Sequence, residues 1–178
     1  MKKILKKYRY FIGTVILIGI LTIFDRELGL KSFSIAGYSF KEMALVIPPV
    51  FLLLGLLDVW VPRETMMKYM GEGSGAKGII LSILLGSAAA GPLYGAFPIA
   101  AVFMKKGVKF SNILIFIGAW STTKIPMFIF EMSALGGKFA ITRLVIDIPG
   151  IIIIAYLLQS FISKDQIKKI YDNAEKLA

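Results

Sequence analysis

Residues 78–104 form an apolar stretch interrupted at its centre by Gly91-Pro92-Leu93-Tyr94-Gly95-Ala96-Phe97-Pro98. No other feature of the chain constrains its fold as tightly. A helix facing lipid has no water to satisfy the backbone groups that a glycine-proline break sets loose. Irregular backbone at membrane depth persists only where protein buries it or a polar cavity receives it. Two architectures can hold the interruption: one kinked span, or a broken element that enters halfway and returns. Transport proteins use such discontinuous helices at their binding sites.

The rest of the chain makes the bilayer its solvent. Apolar residues make up 57% of the sequence, and mean hydropathy is +0.76. Soluble domains hold about 45–50% apolar residues. A net charge of +10 in such a chain points to membrane orientation and anionic lipid, with no nucleic-acid partner expected. The absence of cysteine and histidine excludes disulfides, thiol nucleophiles, histidine relays and His/Cys metal centres. No cofactor or metal is expected.

Apolar segments fall at about 10–24, 43–61, 78–104, 110–130 and 142–162. None alternates with strand periodicity, so helices carry the fold. The first segment follows five basic residues, like a signal peptide. However, Thr22-Ile23-Phe24-Asp25-Arg26 offers no small-residue cleavage site, and the segment is expected to be retained as a span. The stretch 25–42 is expected to be a loop.

Basic residues decide between the two architectures. If 78–104 crosses once, nine Lys/Arg lie in loops and termini on one side and ten on the other. If it dips and returns, the N-terminal arm, the 62–77 loop, the 105–109 loop and the tail share a side with 15, against 4 opposite. The positive-inside rule selects the second arrangement and places both termini in the cytosol.

Within the break, Pro92 suits the first turn of a returning half-helix with Gly91 as its N-cap. That terminus offers unpaired N–H groups and partial positive charge, and Tyr94 adds a hydroxyl. Ser87 and its small neighbours read either as a packing device or as part of the site. Gly73-Ser74-Gly75-Ala76-Lys77-Gly78 formally matches a dinucleotide fingerprint but lacks the preceding strand such a loop needs, so it reads as a flexible loop. The 62–70 stretch reads as interfacial, with Met66, Met67 and Met70 facing lipid or a neighbour.

Further along, Ser121-Thr122-Thr123-Lys124-Ile125-Pro126 interrupts another span. Pro126 cannot donate to the carbonyl of Thr122, freeing an acceptor. Lys124 lies roughly 10 Å below the outer surface, where an ammonium costs about 2.5–3.5 kcal/mol unless it faces protein or water. It either snorkels outward or serves a polar site. Arg143 and Asp147 sit one helical turn apart on one face. Asp147 is expected near the depth of Lys124, so that a Lys124–Asp147 pair would act as a structural lock or a gate. Pro149 frees the carbonyl of Val145, and Pro48-Pro49 is expected to disrupt its helix at a similar level. Asp58 and Glu131 read as unremarkable interfacial residues. Ser163-Lys164-Asp165-Gln166 resembles a capping box. It opens a surface-lying amphipathic helix with Ile167, Ile170, Tyr171, Ala174 and Leu177 on one face.

With these residues identified, the chain resembles one half of the predicted permease family that includes organoarsenical efflux permeases. The likeness rests on Met70-Gly71-Glu72-Gly73-Ser74-Gly75, on the 91–98 break, and on Ala119-Trp120-Ser121-Thr122-Thr123-Lys124-Ile125-Pro126, and covers roughly 61–162. The resemblance implies a multi-pass permease. This chain departs from the family in its half length and lack of cysteine, so thiol chemistry of larger relatives does not carry over.

The resulting expectation is an all-α integral membrane protein with about four transmembrane helices and one re-entrant broken-helix hairpin. Residues 1–162 would form one membrane domain, and 163–178 a cytoplasmic amphipathic tail. It would be a non-enzymatic permease subunit of the inner membrane moving a small anionic solute. Gly91, Pro92, Tyr94, Thr122, Thr123 and Lys124 would bind the substrate, and Asp147 and Arg143 would gate it. Because repeat-built transporters place sites between two halves, the expected partner is a second half-length subunit of opposite orientation, or else a second copy. The competing class is a non-transporting membrane scaffold or assembly subunit.

Overall fold

The computed structural model describes residues 8–89 and 91–177. It is helical throughout, with no strand among the described residues. The expectations for Asp58, for Leu177 and for the lysines before Tyr8 concern positions or side chains outside the described ones. The chain forms two compact units, 1–48 and 49–178.

In the first unit, α1 (Arg9–Phe24) meets α2 (Arg26–Trp60) at a corner built on Asp25. The Asp25 carboxylate accepts the Leu28 N–H at 2.9 Å, satisfying one of the donors every helix start leaves open. Gly29 lies against Thr22 where a Cβ would collide, so the corner can close. The 25–42 stretch, expected to be a loop, is therefore helical: Asp25 caps it and no proline interrupts it before residue 48. The helix also continues through Pro48-Pro49, where disruption was expected and where the unit boundary falls.

The second unit carries the informative geometry. A short helix, α3 (Arg63–Met70), buries Met66 and Met70 and leaves Met67 half exposed. Helix α4 (Gly75–Ala88) then runs inward, the chain breaks, and a 3-10 turn (Leu93–Gly95) leads into α5 (Ala96–Lys105). Helices α6 (Phe110–Thr122) and α7 (Ile125–Ala134) follow, then α8 (Gly137–Phe161) and α9 (Lys164–Leu177).

Helices α4 and α6 lie side by side and parallel. Asn112, at the start of α6, donates to the Met70 carbonyl at 2.8 Å and to Ser74 Oγ at 3.1 Å, just before α4. At the other end, Ser87 and Thr123 share a hydroxyl hydrogen bond of 2.8 Å. Between those ties, the buried residues of α4 are Gly78, Ser82 and Gly86, a stripe at four-residue spacing on one face. A Cβ on Gly86 would sit 2.5 Å from the Phe116 carbonyl oxygen and 2.9 Å from the Trp120 nitrogen. Small residues thus bring two backbones together, as helix pairs in lipid require.

Helix α5 runs back the other way. The Lys109 N–H donates to the Met70 carbonyl at 2.9 Å, and the Lys106 ammonium donates to the Val61 carbonyl at 2.5 Å. Both ends of the 75–105 run therefore meet at one place. Phe103 of α5 packs edge-on against Phe116 of α6, with ring centroids 4.9 Å apart. On the other flank of α6, Ile115 packs with Ile151 and Ala155 of α8.

Two helical runs among the described residues are long and apolar enough to cross a membrane: Phe110–Ala134 and Gly137–Phe161. Gly75–Ala88 and Leu93–Lys105 are apolar but shorter. Helix α8 exposes Val145, Ile146, Ile153, Ile154 and Phe161, apolar side chains of the kind that face lipid on a span. Helix α9 begins with a reciprocal cap: Ser163 N–H to Gln166 Oε1 at 3.0 Å, and Gln166 N–H to Ser163 Oγ at 3.3 Å. Its apolar face, expected to lie on lipid, packs instead on α5 and buries Ala174. The Tyr171 hydroxyl donates to the Val108 carbonyl at 2.6 Å. Burial, and secondarily the charge of Glu72, raise its pKa, so it stays a neutral donor.

Replacing Gly86 with Ala should lower thermal stability in detergent, by about 1–3 kcal/mol, the usual cost of overpacking. Gly150→Ala, where nothing lies within 4 Å of the new Cβ, should leave stability unchanged or raised by up to about 1 kcal/mol. Equal effects at both positions would remove the close α4–α6 contact as the cause.

Candidate functional site

Two helix breaks face one another in the second unit. The first lies between α4 and α5, where Gly91 adopts a φ of +103°, a conformation that side chains resist. The second is the pair Thr123–Lys124 between α6 and α7. Pro126 sits in the first turn of α7, where it has no N–H to offer Thr122.

Each break leaves carbonyls without helical partners, and side chains supply the donors. The Lys124 ammonium donates to the Gly91 carbonyl at 2.6 Å. The Trp120 indole N–H is a second donor to the Pro92 carbonyl, at 3.2 Å, beside the Gly95 N–H of the turn at 3.0 Å. The Arg143 guanidinium donates to the Thr122 carbonyl at 2.5 Å. The Ser87–Thr123 hydroxyl bond ties the two breaks together, and Thr123 also donates to the Ala119 carbonyl at 3.1 Å.

The structure thus brings Gly91, Pro92, Thr122, Thr123 and Lys124 into one network. Tyr94 stands apart: it is 39% exposed, and no hydrogen bond joins its side chain to the others among the described residues. The returning turn starts at Leu93, with Pro92 extended (φ −70°, ψ 158°) at its N-cap, one residue later than Gly91 and Pro92 were expected to cap and open it. Trp120 was not singled out from the sequence. The signal was a tryptophan amid apolar residues, whose indole N–H needs a buried acceptor.

Arg143 organises a second layer. Its Nε donates to Glu131 at 2.8 Å, and its Nη1 lies 3.5 Å from the Asp147 carboxylate. The expected Lys124–Asp147 pair is absent: Lys124 has turned to the Gly91 carbonyl, and Asp147 pairs with the arginine on its own helix face. One Asp147 oxygen is buried without a hydrogen-bond partner, so the 3.5 Å contact is an ion pair of poor hydrogen-bond geometry. Glu131, expected to be a simple end cap, is 5% exposed. Its carboxylate is desolvated and depends on Arg143. No cluster of three or more acidic residues able to hold a metal occurs among the described residues.

Arg143→Ala would leave the buried Glu131 carboxylate and the Thr122 carbonyl without this partner. A loss of about 3 kcal/mol is expected from breaking such a pair on one side, measured by thermal unfolding in detergent. Adding Glu131→Gln should recover part of that loss. A double variant as unstable as the sum of both singles would contradict the coupling.

Comparison with known proteins adds one relationship. A family model described as a predicted permease matches residues 30–178, which include both breaks, Arg143, Glu131 and Asp147. No curated protein and no solved structure matches the chain. The matched region covers most of the sequence, and its surface is apolar where α8 is exposed. The chain is a transporter-like membrane protein and belongs to the predicted permease family.

Proposed function

We propose that the chain is an inner-membrane permease subunit that moves a small anionic solute, bound where the Gly91–Tyr94 tip meets Lys124 and Thr122–Thr123. The observation that carries this reading is the contact between the Lys124 ammonium and the Gly91 carbonyl. An ammonium in an apolar layer is costly. Here its partner is a neutral carbonyl, and no carboxylate lies within ion-pair distance among the described residues. Its charge is available to an anion, whose charge-assisted bond would replace the one to Gly91. The turn at Leu93–Gly95 begins beside it, with the partial positive charge of a helical start.

The path of the chain supports a re-entrant hairpin. Helix α4 is long enough to reach about 21 Å inward at 1.5 Å per residue, and α5 returns to the Met70–Lys109 hydrogen bond where the excursion began. The four-span arrangement then follows from the charge asymmetry, with both termini in the cytosol. Asp147 and Arg143 would act beside the site as a gate, Arg143 holding the Thr122 carbonyl while the flanking helices move.

A partner subunit is part of the proposal. The break leaves Leu93, Tyr94 and Phe97 exposed, yet irregular backbone at membrane depth must be covered by protein. A second half of opposite orientation would close the cavity; a parallel second copy is the alternative. Transport would proceed by rocking of one half against the other.

Reconstituted with its partner, the protein should lose flux of anionic solutes on Lys124→Ala at unchanged abundance. Undiminished flux would remove Lys124 from the mechanism, and absence of any flux or substrate-dependent stabilisation would favour a scaffold. The native lack of cysteine permits labelling at single introduced thiols. Lys77→Cys and Lys105→Cys should react from the same side of the membrane; reaction from opposite sides would establish a single crossing.

A further inference from the structure

A pocket of about 330 Å³ opens where the 107–110 turn, the end of α8 and the start of α9 meet. One water needs only about 10–15 Å³ of such space, so this pocket holds a sizeable group. Three lysines line it, Lys109, Lys164 and Lys168. The last two stand four residues apart on α9, hence on one face. Among the described residues lining it, one carboxylate, Glu72, lies 3.6 Å from Lys109; its side chain is 80% exposed, so solvent weakens its claim on the cations. Gln159 also lines the pocket, and its Oε1 is buried without a hydrogen-bond partner. The Tyr171 hydroxyl is already committed to the Val108 carbonyl.

These groups specify a ligand. The lysines call for an anion with several acceptor oxygens, and Gln159 calls for a donor on the same molecule. An ammonium donor would be repelled by the three lysines, whereas an uncharged hydroxyl would not. Beside the pocket, α8 exposes Tyr156, Leu157, Leu158 and Phe161, an apolar surface suited to acyl chains. We propose that this pocket binds the headgroup of an anionic phospholipid whose phosphodiester carries a free hydroxyl, of the phosphatidylglycerol type, and so anchors the tail helix against the membrane surface. The proposal stands apart from the transported solute, since it concerns residues distant in sequence from both breaks.

The test uses the full chain in neutral detergent, with native mass spectrometry and thermal unfolding on titration with phosphatidylglycerol, phosphatidylcholine and phosphatidylmethanol. Phosphatidylglycerol should bind and stabilise more strongly than phosphatidylcholine. Lys109→Ala, Lys164→Ala and Lys168→Ala should each weaken it roughly fivefold, the effect of one basic residue at an anionic surface. Lys169→Ala, an exposed lysine outside the pocket, should not. Gln159→Leu should abolish the preference for phosphatidylglycerol over phosphatidylmethanol, a diester of equal charge without hydroxyls. Equal binding of phosphatidylcholine, or equal loss in Lys169→Ala, would overturn the site in favour of diffuse surface charge. Lysine-dependent stabilisation by soluble glycerol 3-phosphate, with no added effect of the lipid, would overturn the lipid assignment and leave a free phosphate-ester site.

Discussion

Two backbone carbonyls released by broken helices, at Gly91 and Thr122, hold the rest of the second unit to a narrow set of geometries. In water such groups are solvated at little cost. In an apolar medium each unmet acceptor costs several kcal/mol. The donors come from elsewhere: Lys124 and Trp120 serve the first break, and Arg143 on α8 serves the second. The first break meets the Pro92 carbonyl itself through the Gly95 N–H at 3.0 Å, but the carbonyls at Gly91 and Thr122 rely on side chains. The hairpin, the broken span and α8 must therefore be assembled together before any of them is comfortable in a bilayer.

The register of that assembly is set by size. Hydrophobic burial does little to drive helices together within lipid, where close packing and hydrogen bonds must serve. The Gly78–Ser82–Gly86 stripe lets α4 touch the backbone of α6, and polar ties mark both ends of the contact: Asn112 with Ser74, and Ser87 with Thr123. A slip of one helical turn would displace these groups by about 5.4 Å. The Lys124–Gly91 contact would be lost with them. Small residues in α4 are thus what places an ammonium at a distant carbonyl.

How much of this could be read in the sequence depended on whether a signal was local. Proline and glycine mark breaks through their own covalent structure, and both breaks of the second unit were legible to within a residue or two, although Pro48-Pro49 gave the same signal inside a continuous helix. So was the cap at Ser163 and Gln166, whose partners lie three positions apart. Trp120, Glu131 and Asn112 were not, because their roles are defined by residues on other helices. The acceptor of Trp120 is 28 positions away, and that of Asn112 is 42. Lys124 was legible as a charge within an apolar run, but its partner was not. Depth alone suggested Asp147, whereas the carbonyl freed by Gly91 and Pro92 competes successfully for the ammonium. The 25–42 stretch misled for a different reason: scattered charges and serines resemble a loop, but a capped, proline-free segment still propagates a helix.

The two cations of this layer are held by bonds of unequal strength, and that inequality bears on how a permease built this way could work. Arg143 joins a buried carboxylate, a second carboxylate and a carbonyl at once. Removing one side of such a pair costs about 3–5 kcal/mol. Lys124 has a single carbonyl partner, and a hydrogen bond to a charged group contributes about 1.5–3 kcal/mol net. A transport cycle must alternate between states of similar free energy, so the contact that exchanges should be the weaker one. On the proposed reading, Arg143 serves as the strut that keeps the second break intact through the cycle. Lys124 is the arm that releases Gly91 when an anion arrives and takes it back when the anion leaves. The first break, freed of its lysine, would then be the backbone element able to move.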